Sequence, residues 1–286
     1  MTDDGNEALL ARFEEYLVQS ELAPSTIANY LADLRACLRW GAAERDGTFS
    51  LLSLTAEDIL SYRDYLWRQE GRAPTTVNRR LQALRKFFAF ALEMGYRPEN
   101  PAGEVGPVRG ERLSPLRPLS AGEVRDLLAV VQEGRPSLVR RDLAIMQLLL
   151  YVGLRVGELV QLRLSDLHLA EEYPFIAVPG GNDGLRELPL PPSVCQVLQT
   201  YLAVRPRVPG VEHLFLSQDG WPISARSVQR LVSIYGRLAG LEGVSPQLLR
   251  RTFVCYLLES TGDIALVAQR LGHRRVETTM RYITDE

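Results

Sequence analysis

"SPQLLRRTFVCYLLESTGDIALVAQRLGHRRVETTMRY" (245–282) sets three polar side chains into apolar helical surroundings. Arg250 stands near the start of the apolar run LLRRTFVCYLLE, His273 follows a Leu-Gly turn, and Tyr282 follows a threonine pair. Taken singly, each has an ordinary reading: a paired core arginine, a turn histidine, a packed tyrosine. Their meaning depends on what else in the chain could gather around an anion beside that tyrosine.

Upstream, "GLRVGELVQLRLSDL" (153–167) places Arg155 two residues after a glycine, at the head of an apolar helix carrying Val156, Leu159, Val160 and Leu162. A guanidinium in apolar surroundings needs an acceptor or an anion. Glu158, three residues on, could buttress it, and an internal Arg–Glu pair is the plainer reading. Between these stretches, "YPFIAVPGG" (173–181) and "LRELPLPPS" (185–193) flank Asn182, Asp183 and Gly184, which reads as a β-hairpin. Helical periodicity covers "AGEVRDLLAVVQE" and "SLVRRDLAIMQLLLYVG", then 193–205, 224–240 and 246–259, and 263–283 with a break at Gly272.

The N-terminal part reads as four helices over 6–20, 23–44, 55–70 and 73–95, joined by short loops. A stretch rich in Pro, Gly and charge follows without apolar periodicity. The predicted organisation is therefore a helical domain over 1–103, a linker over 104–118 and a second domain over 119–286. In "TTVNRRLQALRKFF" (75–88) an apolar face of Leu81, Leu84, Phe87 and Phe88 backs a basic one of Arg79, Arg80, Arg85 and Lys86. That basic face is either solvated or laid along nucleic acid phosphates.

Composition narrows the field. With 46% hydrophobic and 24% charged residues, the chain has material for a core. No apolar run has membrane-spanning length and no signal-peptide pattern opens the chain, so a cytoplasmic protein without a membrane partner is expected. Cys37, Cys195 and Cys255 are scattered and fit neither a disulfide framework nor a zinc site, and no metal or cofactor is expected. The net charge of −2 obliges any nucleic-acid binder to cluster its cations on one face. Lys86 is the sole lysine.

In order and spacing, GLRVGEL, the hairpin, the Arg250 segment, LGH and the late tyrosine resemble the tyrosine recombinases, or phage-type integrases, of the Xer-like branch. "STIANYLADLRACLRW" and "TTVNRRLQALRKFFAFALEMGYRPENPA" are similar to that family's core-binding domain. The resemblance covers essentially the whole chain. It implies a mainly α fold: a four-helix SAM-like core-binding domain and an α+β catalytic domain with a small antiparallel sheet, the two closing on duplex DNA as a C shape. It also implies site-specific cleavage and rejoining of DNA strands. Arg155 and Arg250 would clamp the scissile phosphate, Tyr282 would be the nucleophile that forms a 3′-phosphotyrosine, and His273 would donate to a phosphate oxygen. Glu158 would support Arg155, while Arg79, Arg80, Arg85 and Lys86 would face DNA. The implied partners are double-stranded DNA and further protomers, a tetramer on DNA, with a partner recombinase as an option.

Two positions depart from the family pattern. Gln247 stands where a histidine is usual, and glutamine cannot take a proton from a tyrosine. Gly181 stands where the hairpin lysine is usual, and Gly184 where a second lysine is common; the charged neighbour Arg186 is a poor proton donor. Only ITDE (283–286) follows Tyr282, where many relatives carry a helix that docks on a neighbour, so the cyclic assembly is left open. Three readings follow: a recombinase with unusual proton transfer; a recombinase-like DNA-binding accessory or regulatory protein that does not cleave; and a nicking–closing enzyme acting without synapsis.

Overall fold

Helix starts in the N-terminal region follow their caps. Thr55 and Asp58 exchange side-chain-to-backbone hydrogen bonds at the start of α3 (Ala56–Asp64), and Pro74 opens α4 (Pro74–Glu93), where its missing N–H costs nothing. With α1 (Asp3–Gln19) and α2 (Pro24–Glu44) these are the four expected helices; α3 runs on through a π-helical turn, Tyr65–Gln69. The computed structural model describes residues 3–44, 49–109, 117–179, 184–273, 275–280 and 282. They divide into two units, residues 1–113 and 114–286.

The first unit closes on aromatic side chains. Val77, Leu81, Leu84, Phe87, Phe88 and Ala91 recur at helical spacing on the buried face of α4. Phe13 meets Phe87 edge-on, with ring centroids 5.5 Å apart, and Phe90 at 5.3 Å. Truncating Phe87 to alanine would cost about 3–5 kcal/mol.

The Pro/Gly-rich stretch after α4 packs on this unit as far as Val108. Ala102 and Val105 are buried in its core. The Asn78 amide brackets Val108, donating to its carbonyl at 3.0 Å and accepting from its N–H at 2.8 Å. Periodicity is silent about such a segment because side chains, not a regular ladder, satisfy its backbone groups. Residues 110–116, the middle of the expected linker, lie outside the described residues.

The second unit is helical around a three-stranded antiparallel sheet. Its helices are α5 (Ala121–Gln132), α6 (Val139–Gln147), α7 (Val156–Gln161), α8 (Pro192–Leu202), α9 (Ala225–Leu238), α10 (Pro246–Thr261), α11 (Ile264–Leu271) and α12 (Val276–Met280). β1 (Leu167–His168), β2 (Phe175–Pro179) and β3 (Leu185–Pro189) pair in that order, with Ile176 opposite Leu188 and Val178 opposite Arg186. The hairpin thus forms as its sequence predicts, although its turn, residues 180–183, lies outside the described residues. Ile176 and Val178 are buried on β2, and Leu188 on β3, as two-residue alternation requires.

Three devices deliver chain to one place. A π-helical turn, Leu148–Val152, extends α6 and stops at Gly153, whose φ of +69° is left-handed. The Phe253 ring lies where a Gly153 side chain would begin, so glycine is needed for space as well as for conformation. Ser245 caps α10 through the Leu248 N–H, and Gly272, with φ +67°, ends α11 and turns the chain into His273.

Candidate active site

The site is built around the carboxylate of Glu158. Arg155 is the residue capping α7; its backbone N–H donates to Glu158 Oε2 at 2.7 Å and its Nη1 to Oε1 at 2.9 Å. Arg186, reaching from β3, donates to the same Oε1 at 2.9 Å. Arg250, buried on α10, comes within 3.8 Å of Oε2 and donates to the carbonyl of Gly153. Burial pushes the Glu158 carboxyl up, but the Arg155 N–H, the charge of Arg186 and the Arg155 side chain outweigh it and hold the pKa below the usual carboxylate range.

The last carbonyl of α11 joins the two expected clamp residues. Leu271 C=O accepts from Arg155 Nη1 and from Arg250 Nη2, each at 3.2 Å. Arg250 is only 3% exposed, whereas the side chain of Arg155 is 42% exposed, so one is fixed in the wall and the other reaches solvent. Desolvation, then the charge of Arg155, lowers the pKa of Arg250; Tyr282 and Glu158 oppose that. A guanidinium still stays charged at neutral pH. Arg250 Nε and Arg186 Nε have no hydrogen-bond partner among the described residues. Such buried donors cost about 1–3 kcal/mol each and are expected where an acceptor is to arrive.

His273 and Tyr282 complete the group. The imidazole Nδ1 lies 2.9 Å from the hydroxyl of the buried Thr279, and the His273 and Tyr282 rings stack at 5.8 Å with an angle of 20°. The Arg250 guanidinium carbon is 6.0 Å from the Tyr282 ring centre. Burial, reinforced by Arg155, Arg250 and Arg186, pushes the His273 pKa down to about 4. At neutral pH the ring is therefore uncharged, with Thr279 fixing the side on Nδ1 and Nε2 left as its other polar edge.

The structure thus brings together Arg155, Glu158, Arg250, His273 and Tyr282, scattered over 128 residues of sequence. Gln247 sits exposed in the first turn of α10, three residues before Arg250. Gly181 lies outside the described residues. Reading the sequence missed three contributors: Arg186 as a partner of Glu158, Thr279 as the support of His273, and the Leu271 carbonyl. Strand alternation held the signal for the first, since Arg186 is two residues from the buried Leu188 and shares its face.

The basic face of α4 has partners within its own unit. Arg79 pairs at 2.5 Å with Asp33, itself 5% exposed, and Arg80 is 3.9 Å from the same carboxylate and donates to Tyr62 Oη. Arg85 donates to the backbone carbonyls of Ala102 at 3.2 Å and Val105 at 2.6 Å, and Lys86 lies 5.3 Å above the Tyr16 ring. All four are tied into their own unit; Arg79 keeps about half of its side chain exposed.

Most of the chain matches known proteins. Residues 117–286 match the model of the phage integrase family, and residues 10–95 that family's N-terminal SAM-like domain.

The chain belongs to the phage integrase family.

Tyrosine recombinase XerC of Alcanivorax borkumensis is 33% identical over 270 residues, spanning 92% of this chain and 84% of that protein. Tyrosine recombinase XerD of Lacticaseibacillus casei is 32% identical over 283 residues, spanning 96% and 92%. Among solved structures, XerH site-specific recombinase bound to its difH substrate, in a pre-cleavage complex, superposes with a TM-score of 0.72 at 21% identity, covering 90% of this chain and 75% of that one. That likeness supports the integrase fold, while the relatives at about a third identity support site-specific recombination over a purely DNA-binding role.

Proposed function

We propose that this integrase-family chain cleaves and rejoins duplex DNA at a specific site, with Tyr282 as nucleophile. The observation that carries this is the convergence of Arg155 and Arg250 on one carbonyl and one carboxylate, beside the stacked His273 and Tyr282 rings. Guanidinium forks suit the non-bridging oxygens of a phosphodiester and gain most as charge builds on the pentavalent phosphorus. The Tyr282 phenolic oxygen attacks phosphorus, a Tyr–O–P bond forms, and the P–O5′ bond breaks. The phenolic proton leaves to solvent, and the departing 5′-oxygen takes one up. One phosphodiester replaces another, so attack by a new 5′-hydroxyl reverses the step without an external energy source.

Proton transfer is where this chain departs from the family pattern that its motifs resemble. Gln247 can orient a water but cannot act as a base, and the catalytic unit contains no lysine. Absence of a general acid or base costs about 10²–10⁴ in rate, so slow turnover through water is expected. The helical unit binds DNA in this reading, with Arg79 as its phosphate contact best exposed among the four. Further protomers assemble on the same DNA in this reading, in line with the lambda integrase dimer bound to a COC' core site, a solved structure of the same fold.

The test is covalent trapping. Wild type and Tyr282→Phe are incubated with nicked DNA fragments flanking the gene, and denaturing gels report protein–DNA adducts. An adduct that requires Tyr282 is expected. Tight binding with no adduct on any fragment would overturn cleavage in favour of a DNA-binding, non-cleaving role.

A further inference from the structure

We infer that Arg186 on β3 is a positioning residue of the cleavage reaction, acting through Glu158 on the phosphate-holding arginines Arg155 and Arg250. The inference rests on the proposed cleavage at Tyr282 and adds to it a charge carried by the hairpin strand rather than by its turn.

Geometry singles out Arg186. Its side chain is only 12% exposed, and its ion pair among the described residues is to Glu158 Oε1, the oxygen that also receives Arg155 Nη1, both at 2.9 Å. Two donors on one oxygen fix its lone-pair directions, so the carboxylate cannot turn without releasing Arg155. The Arg186 guanidinium also lies where a side chain on Gly272 would start, so it is wedged between the hub carboxylate and the turn that precedes His273. Its Nε is buried without a partner among the described residues. One side chain therefore touches both elements that must hold register: the start of α7 and the end of α11.

Charge gives this placement a consequence for rate. Three guanidinium groups against one carboxylate leave a surplus of two positive charges around the site. A phosphodiester carries a single negative charge, and the pentavalent species formed by phenolate attack carries a second. The cluster thus complements the transition state better than the ground state, which is the condition for accelerating chemistry rather than merely tightening binding. Without Arg186 the surplus falls to one, and the Glu158 charge acts more strongly against Arg155 and Arg250.

The experiment measures adduct formation on nicked DNA, together with DNA affinity and melting temperature, for Arg186→Gln, Arg186→Lys, Glu158→Gln and the Arg186→Gln/Glu158→Gln double variant. Arg186→Gln should slow adduct formation on the order of ten- to a hundred-fold with DNA affinity little changed. Arg186→Lys should recover much of that loss, which also excludes misfolding as its cause. The double variant should be no slower than Glu158→Gln alone, because the two act as one unit. Losses that multiply, a lysine that does not rescue, or a wild-type rate in Arg186→Gln would each overturn the inference. A second readout needs no cleavage: the side-chain Nε–Hε NMR signal of Arg155 should shift or broaden in Arg186→Gln. If wild type forms no adduct, the proposed reaction fails by itself, and an unchanged Arg155 signal is then what refutes the positioning role.

Discussion

Arginines in the two units of this chain are handled in opposite ways. In the helical unit, Arg85 is directed at the carbonyls of Ala102 and Val105, and Arg79 and Arg80 share the buried Asp33. In the catalytic unit, Arg155, Arg186 and Arg250 surround the single carboxylate of Glu158 and leave positive charge in surplus. The lesson concerns pairing rather than residue type. A guanidinium held chiefly by backbone acceptors, as Arg85 is, acts as a staple, whereas three guanidinium groups gathered on one carboxylate make a receptor for an anion.

The comparison breaks most visibly at Arg250. Arg250→Ala should lower the rate of adduct formation on the order of 10²–10³-fold in single-turnover assays, as for the loss of one preorganised donor to transition-state charge. Retention of the wild-type rate would remove Arg250 from the receptor and make it another staple. On the other side, Arg85→Met should cost about 1–3 kcal/mol of stability in urea unfolding, by stranding two carbonyls. Its cleavage rate per folded molecule should match wild type.

Arg79 tests the boundary between the two classes. Arg79→Ala should reduce the slope of log affinity against log salt by about one, uniformly across DNA sequences, as for one lost phosphate contact. Arg85→Met should leave that slope unchanged. Equal slopes for both variants and wild type would mean that α4 contributes no phosphate contact from either position.

The smallest effect concerns acidity. The depressed His273 pKa means that between about 6.5 and about 4 the unfolded chain binds a proton that the folded chain does not. Stability from this group is therefore full above that window and declines as pH falls through it. His273→Gln should flatten the decline in melting temperature over that range. The depressed Glu158 pKa adds a loss of the same sign at lower pH, where its carboxylate protonates, and Glu158→Gln should remove that part.

Much of this was legible in the sequence, for identifiable reasons. The helices announce themselves through 3.6-residue spacing and caps such as Thr55–Asp58, and the hairpin through alternation around a turn-forming run. Arg155, Arg250, His273 and Tyr282 were legible because order and spacing matched a family, not because any one stood out. The rest was hidden because it depends on three-dimensional partners. Whether Arg79, Arg80 and Arg85 are free cannot be seen from a helical face when Asp33 and the Ala102 and Val105 carbonyls approach from elsewhere in the chain. Thr279 and Leu271 contribute a hydroxyl and a carbonyl that no residue-type pattern distinguishes from the others in the chain.

The shared carbonyl of Leu271 has one more consequence, in helical phase. Arg155 and Arg250 come from different helices, yet their common acceptor is the end of α11, a helix of eight residues that Asp263 starts and Gly272 stops. Each residue of an α-helix turns the next by about 100°. Adding or removing one residue within Ile264–Leu271 would swing that carbonyl to another side of the helix and part it from both guanidinium groups, with no charged residue altered. The length of α11 is thus a gauge for the spacing of the two cations, and insertions there should be as damaging as the loss of an arginine.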